Sequence, residues 1–302
     1  MKNWYYALVV FLGGCCYGIL STFVKLAYAA GFSSAEVSGV QYLFGTFIIW
    51  CIVIFTKKKK LSLKEISTLI LSGIPFGLTG IFYYQSLKTL DASLAIVFLF
   101  QFVWIGALFD WIFNNKKPTK GKLVSIVILL IGSIFAANII TQEGSGLSLQ
   151  GTIWGLLAAL TYTTFIFLSS SVGKDTPPVL KSALMSTGAL IVVFLLFQPV
   201  SLFNFSVLKE LSTYGFILGL FGVAIPPLLY SIGMPHIGPG LGTILSASEL
   251  PVAVTLSLLV LSEHVTLAQW IGVVLILAGI ICGNINTEKY KLKSINMQNF
   301  SD

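Results

Sequence analysis

No arginine occurs anywhere in the 302 residues, and charge of either sign is scarce: 18 lysines, 11 acidic residues and two histidines. Charged residues make up 10% of the chain, whereas a globular domain usually carries about a quarter, so a water-soluble surface is excluded. The missing guanidinium removes the usual bidentate reader of phosphate. The net charge of +7 is therefore not a nucleic-acid face, and its lysines sit in short clusters between apolar runs. An intramembrane enzyme would need paired acids or a His/Asp cluster; the two histidines, His236 and His264, stand far apart. Cys15, Cys16, Cys51 and Cys282 all lie inside apolar runs, with neither metal-ligand spacing nor a disulfide framework. No Gly-x-x-x-x-Gly-Lys loop is present to bind a nucleotide, so any energy the protein uses comes from gradients or exchange. No cofactor is implied.

What the chain has in excess is apolar length. Hydrophobic residues are 56% of it and the mean hydropathy is +0.92. They fall in runs of roughly 18 to 24 residues, enough to cross a hydrocarbon core of about 30 Å. Ten spans are predicted, at 4–27, 37–56, 66–87, 92–113, 123–140, 150–172, 179–198, 213–233, 239–261 and 267–284. Lys2, the following apolar run and Leu12-Gly-Gly-Cys15 resemble a signal peptide with a lipoprotein box. The run continues to Ala30, too long for a signal core, and reads as an ordinary first helix. Ser33-Ser-Ala-Glu36, Ser62-Leu-Lys-Glu65 and Thr266-Leu-Ala-Gln269 each place a hydroxyl three residues before a carboxylate or amide. That spacing satisfies the orphan amides at a helix start.

With the N-terminus in the cytoplasm, 15 of the 18 lysines fall on inner segments. They include Lys57 to Lys60, Lys116, Lys117, Lys120, Lys122, Lys174 and Lys181, while Glu36, Asp91, Glu143, Glu210 and Glu263 fall outside. Short loops with that bias place both termini in the cytoplasm of a cell (plasma) membrane protein. The chain also repeats itself at an offset of 147 residues, from Gly132 to Gly279. At that offset Thr119 meets Thr266 and Tyr83 meets Tyr230, and at nearly the same offset Tyr17 meets Tyr162. Five is odd, so two five-span halves must be inverted, a recurrent design in secondary carriers with substrate held near the midplane. The expected fold is all-α integral membrane: ten transmembrane helices in two inverted five-helix repeats, 4–140 and 150–284, followed by a cytoplasmic tail at 285–302.

Two stretches of the second half carry a family likeness. Gly238-Pro-Gly-Leu-Gly-Thr-Ile-Leu-Ser-Ala-Ser-Glu-Leu-Pro251 is followed by Leu261-Ser-Glu-His-Val-Thr-Leu-Ala-Gln-Trp-Ile-Gly272 and Ile276-Leu-Ala-Gly279. Together they resemble the EamA-type transporters of the drug/metabolite transporter superfamily, at Glu249, Pro251, Glu263, Gln269, Gly272 and Gly279. Lys25 looks like that family's lysine in the first helix. The chain departs from the pattern where Glu249 and Pro251 are not adjacent, where Ser262 precedes Glu263, at Lys116 and at Gln41. The resemblance implies a ten-helix carrier, with export as the direction.

Glu249 is the sharpest candidate. A charge near the middle of a span costs several kcal/mol unless solvated or paired, and burial disfavours the ionised form, which suits a proton carrier. A protonated Glu bonded to a neighbouring helix is the structural alternative. Lys25 falls about 30 Å along its helix, where snorkelling to headgroups is the plainer reading. Asp110 reads as a surface group beside Lys116 and Lys117. Gln101 and Ser248 align at the offset, and Tyr17, Tyr83, Tyr84, Gln85, Tyr162 and Tyr230 could wall a pocket between the halves. Packing or interfacial anchoring accounts for each tyrosine alone. Glycines and prolines in the third span (Gly73, Pro75, Gly77, Gly80) and the eighth (Gly219, Gly222, Pro226, Pro227) permit close packing and kinks, and their matching places point toward discontinuous or bending helices at a substrate path.

The reading is a secondary active transporter of a small polar or amphipathic metabolite, working in the lipid bilayer by alternating access. Proton or exchange coupling is open, as is the oligomeric state. A non-transporting receptor or scaffold is the first alternative and an intramembrane enzyme the second.

Overall fold

The computed structural model describes residues 2–56, 59–86, 88–90, 92–137, 148–262 and 264–298, with side chains described for 4–56, 59–86, 88–90, 95–137, 148–262 and 264–284. The predicted loop positions Lys57, Lys58, Asp91, Glu143 and Glu263 lie outside these residues. Every described crossing is helical, as lipid requires of a backbone that has no water to bond to. The helices are α1 (Lys2–Ala29), α2 (Ser34–Ile54), α3 (Leu63–Ser86), α4 (Ala92–Leu99), α5 (Phe102–Asn114), α6 (Lys120–Ala136) and α7 (Leu149–Ser171). They continue as α8 (Pro178–Phe197), α9 (Phe205–Gly219), α10 (Ile225–Ile237), α11 (Pro239–Ser246), α12 (Glu249–Leu261) and α13 (Leu267–Gln298).

Three pairs of these helices act as single spans: α4 with α5, α9 with α10, and α11 with α12. Nine spans among the described residues are then long and apolar enough to cross a membrane, and the 17-residue α6 is the tenth. All three anticipated capping boxes form. The Ser33 amide donates to the Glu36 carboxylate at 2.8 Å, the Ser62 amide to Glu65 at 2.7 Å and the Thr266 amide to the Gln269 carbonyl oxygen at 2.9 Å.

The two halves correspond in backbone detail. The fourth span breaks at Phe100 and Gln101, the ninth at Ala247 and Ser248, 147 residues on. Tightened hydrogen bonds close both breaks in the same register. Gln101 N–H donates to Phe98 O and Val103 N–H to Phe100 O, each at 3.2 Å; Ser248 N–H donates to Leu245 O at 3.2 Å and Leu250 N–H to Ala247 O at 3.4 Å. Each span ends in a left-handed residue at matching positions, Asn115 (φ 53°) and Ser262 (φ 55°).

Packing repeats too. α3 lies on α8 as α9 lies on α2, α1 lies on α10 as α7 lies on α3, and α6 lies along α13. The α3–α8 approach requires glycine. A Cβ at Gly73 would strike the carbonyl oxygen of Met185, and one at Gly188 that of Ile70. Small residues of this kind let helix backbones meet in lipid.

Two expectations need correcting. The third span runs as one helix through Pro75, and further breaks fall in the fourth and ninth spans, while the eighth is interrupted as expected. In the eighth span a single π turn, Leu220–Ala224, joins α9 to α10, with Ile225 N–H bonding Leu220 O. Pro226 and Pro227 follow it and have no N–H to continue the ladder. Asp110 is not a surface group. It is buried, receives the Lys122 ammonium at 3.1 Å and the Asn114 amide at 2.9 Å, and lies against Gly240 at the start of α11.

Candidate functional site

A cavity of about 540 Å³ lies mainly among the helices of the first half, with Tyr162, Glu249, Leu250 and Ala253 of the second half completing its wall. It runs from the level of the two helix breaks toward the end of the bundle where α1 and α3 finish, bordered there by Lys25, Tyr28, Tyr83 and Tyr84. Its place reflects a local departure from the repeat. α7 and α8 pack closely on α10, and α7 on α11, whereas the equivalent backbones of α1 and α2 stand away from α3 and α4 and are bridged by side chains such as Tyr42, whose hydroxyl donates to Phe76 O at 3.0 Å. The cavity occupies that gap.

Its deep walls are aromatic. Phe76 stacks on Phe165 with centroids 4.6 Å apart, Tyr42 meets Phe76 edge-on at 5.3 Å, and Phe102 meets Tyr162 edge-on at 4.9 Å. Edge-to-face pairs at these separations fix ring positions as well as burying area. Tyr17 stands over Tyr162 and Tyr230, 5.9 Å from each.

Below Tyr17 a polar relay forms the floor. Tyr230 donates its one hydroxyl proton to Ser246 Oγ at 2.7 Å, and Ser246 donates to Gly242 O at 2.9 Å. The 3.1 Å contact between the Tyr162 and Tyr230 hydroxyls must then be donated by Tyr162. Tyr17 is different: its hydroxyl is buried with no protein partner among the described residues, on a side chain that lines the cavity.

Glu249 opens α12 and faces the same space. No described side chain forms a hydrogen bond or ion pair with its carboxyl. It stands at the first residue after the break, beside Tyr17, Tyr83 and Tyr162 in the cavity wall. A carboxyl placed there has the chemistry to bind a proton or a cationic group. Among the described residues no cluster of His, Cys, Asp or Glu could hold a metal ion.

The structure brings together Glu249, Tyr17, Tyr83, Tyr84, Tyr162 and Lys25 in the cavity wall, with Tyr230 directly beneath. Ser248 is turned away: it donates to Phe11 O at 2.7 Å and seals α11–α12 against α1. Gln101 also points elsewhere, giving its amide to Val97 O at 3.0 Å and accepting from the Trp104 indole at 2.8 Å. Gln85 is half-buried on the last turn of α3 and does not line the cavity.

Sequence reasoning missed Gln41, Tyr42, Phe76, Thr79 and Phe102 in the wall. Phe102 was within reach, since it stands 147 residues before Glu249. Tyr42 and Phe76 carry no signal that separates them from ordinary packing residues.

Comparison with known proteins fits this architecture. The profile of the EamA-like transporter family matches residues 4–138 and again 149–284. The uncharacterized inner membrane transporter YicL of Salmonella typhimurium is 30% identical over 210 residues, covering 67% of this chain and 68% of that one. A solved crystal structure shares the fold at a TM-score of 0.75 and 15% identity, covering 93% of this chain and 98% of the other. With the family profile matching both halves, the chain belongs to the EamA-like transporter family.

Proposed function

We propose that the protein is a secondary carrier that exports a small polar or amphipathic metabolite by alternating access between two inverted halves. The observation that carries this reading is Glu249: a carboxyl without a partner among the described residues, at a helix break, in a 540 Å³ cavity walled by aromatic rings. Cavities of this size and lining suit small ligands, and an intramembrane acid with no structural partner marks a transport path. The cavity opens away from the N-terminal end of α1. With the termini cytoplasmic, as the lysine bias directs, this is an outward-facing arrangement. A receptor or scaffold would have no use for an unpaired acid at the centre.

Reconstituted protein is expected to give saturable counterflow of a small amphipathic metabolite, found by screening a panel for thermal stabilisation; a ligand at 100 times its Kd stabilises by about 2.7 kcal/mol. Glu249→Gln keeps volume and hydrogen bonding but cannot titrate. Counterflow with unaltered rate and pH dependence in that variant would make Glu249 structural.

A further inference from the structure

The most deeply buried lysine among the described residues is not in the cavity. Lys181, on the first turn of α8, is 1% exposed. Among the described residues its ammonium makes one hydrogen bond, to Ser169 O at 2.7 Å, and no ion pair. The hydroxyls of Ser169 on α7, Ser182 on α8 and Ser231 on α10 are also buried without partners. A desolvated ammonium and unbonded hydroxyls each cost free energy, and the one Ser169 carbonyl offsets only part of the ammonium's share.

The repeat explains why they are there. Ser231 lies 147 residues after Tyr84, while Ser169 and Ser170 lie 145 after Val24 and Lys25, the offset at which Tyr17 meets Tyr162. Tyr84, Val24 and Lys25 all line the open cavity. Ser169, Ser170 and Ser231 are thus the repeat-equivalents of cavity-wall residues, and Lys181 and Ser182 are buried beside them on α8. They lie where α7 and α8 pack on α10, the contact whose equivalent is parted in the first half.

Resting on the carrier reading, we propose that Lys181, Ser169, Ser182 and Ser231 form a second binding vestibule, opened when α7 and α8 part from α10, in which the Lys181 ammonium receives an anionic group of the cargo, a carboxylate or phosphate. Each mouth then has its own lysine, Lys25 on α1 and Lys181 on α8. In the closed state Lys181 returns to the Ser169 carbonyl, so the unpaired charge biases the protein toward opening at that end.

Full-length protein in oriented vesicles, with its four cysteines replaced, tests this through single cysteines at Ser169 and Ser231. The probes are an anionic sulfonatoethyl and a cationic trimethylammonioethyl methanethiosulfonate, applied from the side of the lysine-rich loops. Both should react at Ser169→Cys, the anionic one about fivefold faster, and Lys181→Met should bring the ratio to about one. If Ser169→Cys does not fold, Ser231→Cys gives the same readout of access. The proposal is overturned if neither cysteine reacts, or if the ratio ignores Lys181→Met, while Thr79→Cys in the open cavity is labelled from the other side. Absence of counterflow together with an unreactive Thr79→Cys would instead sink the carrier reading itself.

Discussion

The fourth and ninth spans break at equivalent residues with equivalent hydrogen bonds, yet they carry different chemistry. At the first residue after the break one half has Phe102 and the other Glu249; two residues further on stand Trp104 and Pro251. Pro251 cannot donate an N–H, so it would be easy to credit the break in the ninth span to proline. The fourth span has no proline and breaks in the same register. The discontinuity is therefore a property of the repeat, held by packing, and Pro251 only accommodates it. What departs from the symmetry is the side chain after the break, an acid in one half and a ring in the other, both lining the cavity, and the proposed carrier chemistry rests on that difference.

The sharpest way to break that comparison is to change its two unlike members. Glu249→Gln should lower the maximal counterflow rate at least about a hundredfold, equivalent to about 2.7 kcal/mol, and flatten its pH dependence. Phe102→Leu trims the wall without touching a titrating group, so it should change the concentration for half-maximal flux several-fold and leave the pH profile in place. Rates and pH profiles of both variants in the same vesicles check this. A pH profile flattened by Phe102→Leu would mean the proton chemistry belongs to the cavity as a whole and not to the acid.

A second contrast lies at the end of α5. Asp110 and Lys122 make a buried ion pair, whereas the residues 147 further on are Ser257 and Gln269. Removing one member of such a pair leaves the other uncompensated. Asp110→Asn should destabilise the protein by about 2–4 kcal/mol, and pairing it with Lys122→Gln should recover most of the loss. Thermal unfolding of the two variants decides; equal losses would show that the contact with Gly240, and not the charge pair, holds α11.

How much of this could be read beforehand follows from the range of each interaction. The capping boxes at Ser33, Ser62 and Thr266 are local, fixed by residues three apart, and all three form. The ten spans follow from hydrophobic length alone. The breaks were less legible. Glycine and proline drew attention to the third and eighth spans, but at Phe100 and Gln101 tertiary packing decides, and no local residue announces it. Alignment brought Gln101 and Ser248 into register without showing where their side chains point, since both turn back onto helix carbonyls. Asp110 was misread for a similar reason: Lys122 and Gly240 come together only in the folded bundle.

The gentlest contrast is between those two aligned polar residues, and here the expected order runs against intuition. Ser248 is the more buried, which would suggest the larger effect on removal. Its partner, however, is Phe11 O inside the continuous α1, a carbonyl that already accepts within the helix, so Ser248→Ala removes a supplementary bond worth about 1 kcal/mol or less. Gln101 does something its partner cannot do without. Its backbone N–H has shifted to Phe98 O, and Val97 O is bonded by the Gln101 side-chain amide instead. Gln101→Leu, close in volume, leaves that carbonyl and the Trp104 indole unbonded at a depth where water is scarce, at a cost of about 1–3 kcal/mol. Denaturant or thermal unfolding in one detergent should rank Gln101→Leu below Ser248→Ala in stability. The reverse ranking would mean the ninth-span break, not the fourth, depends on its polar side chain.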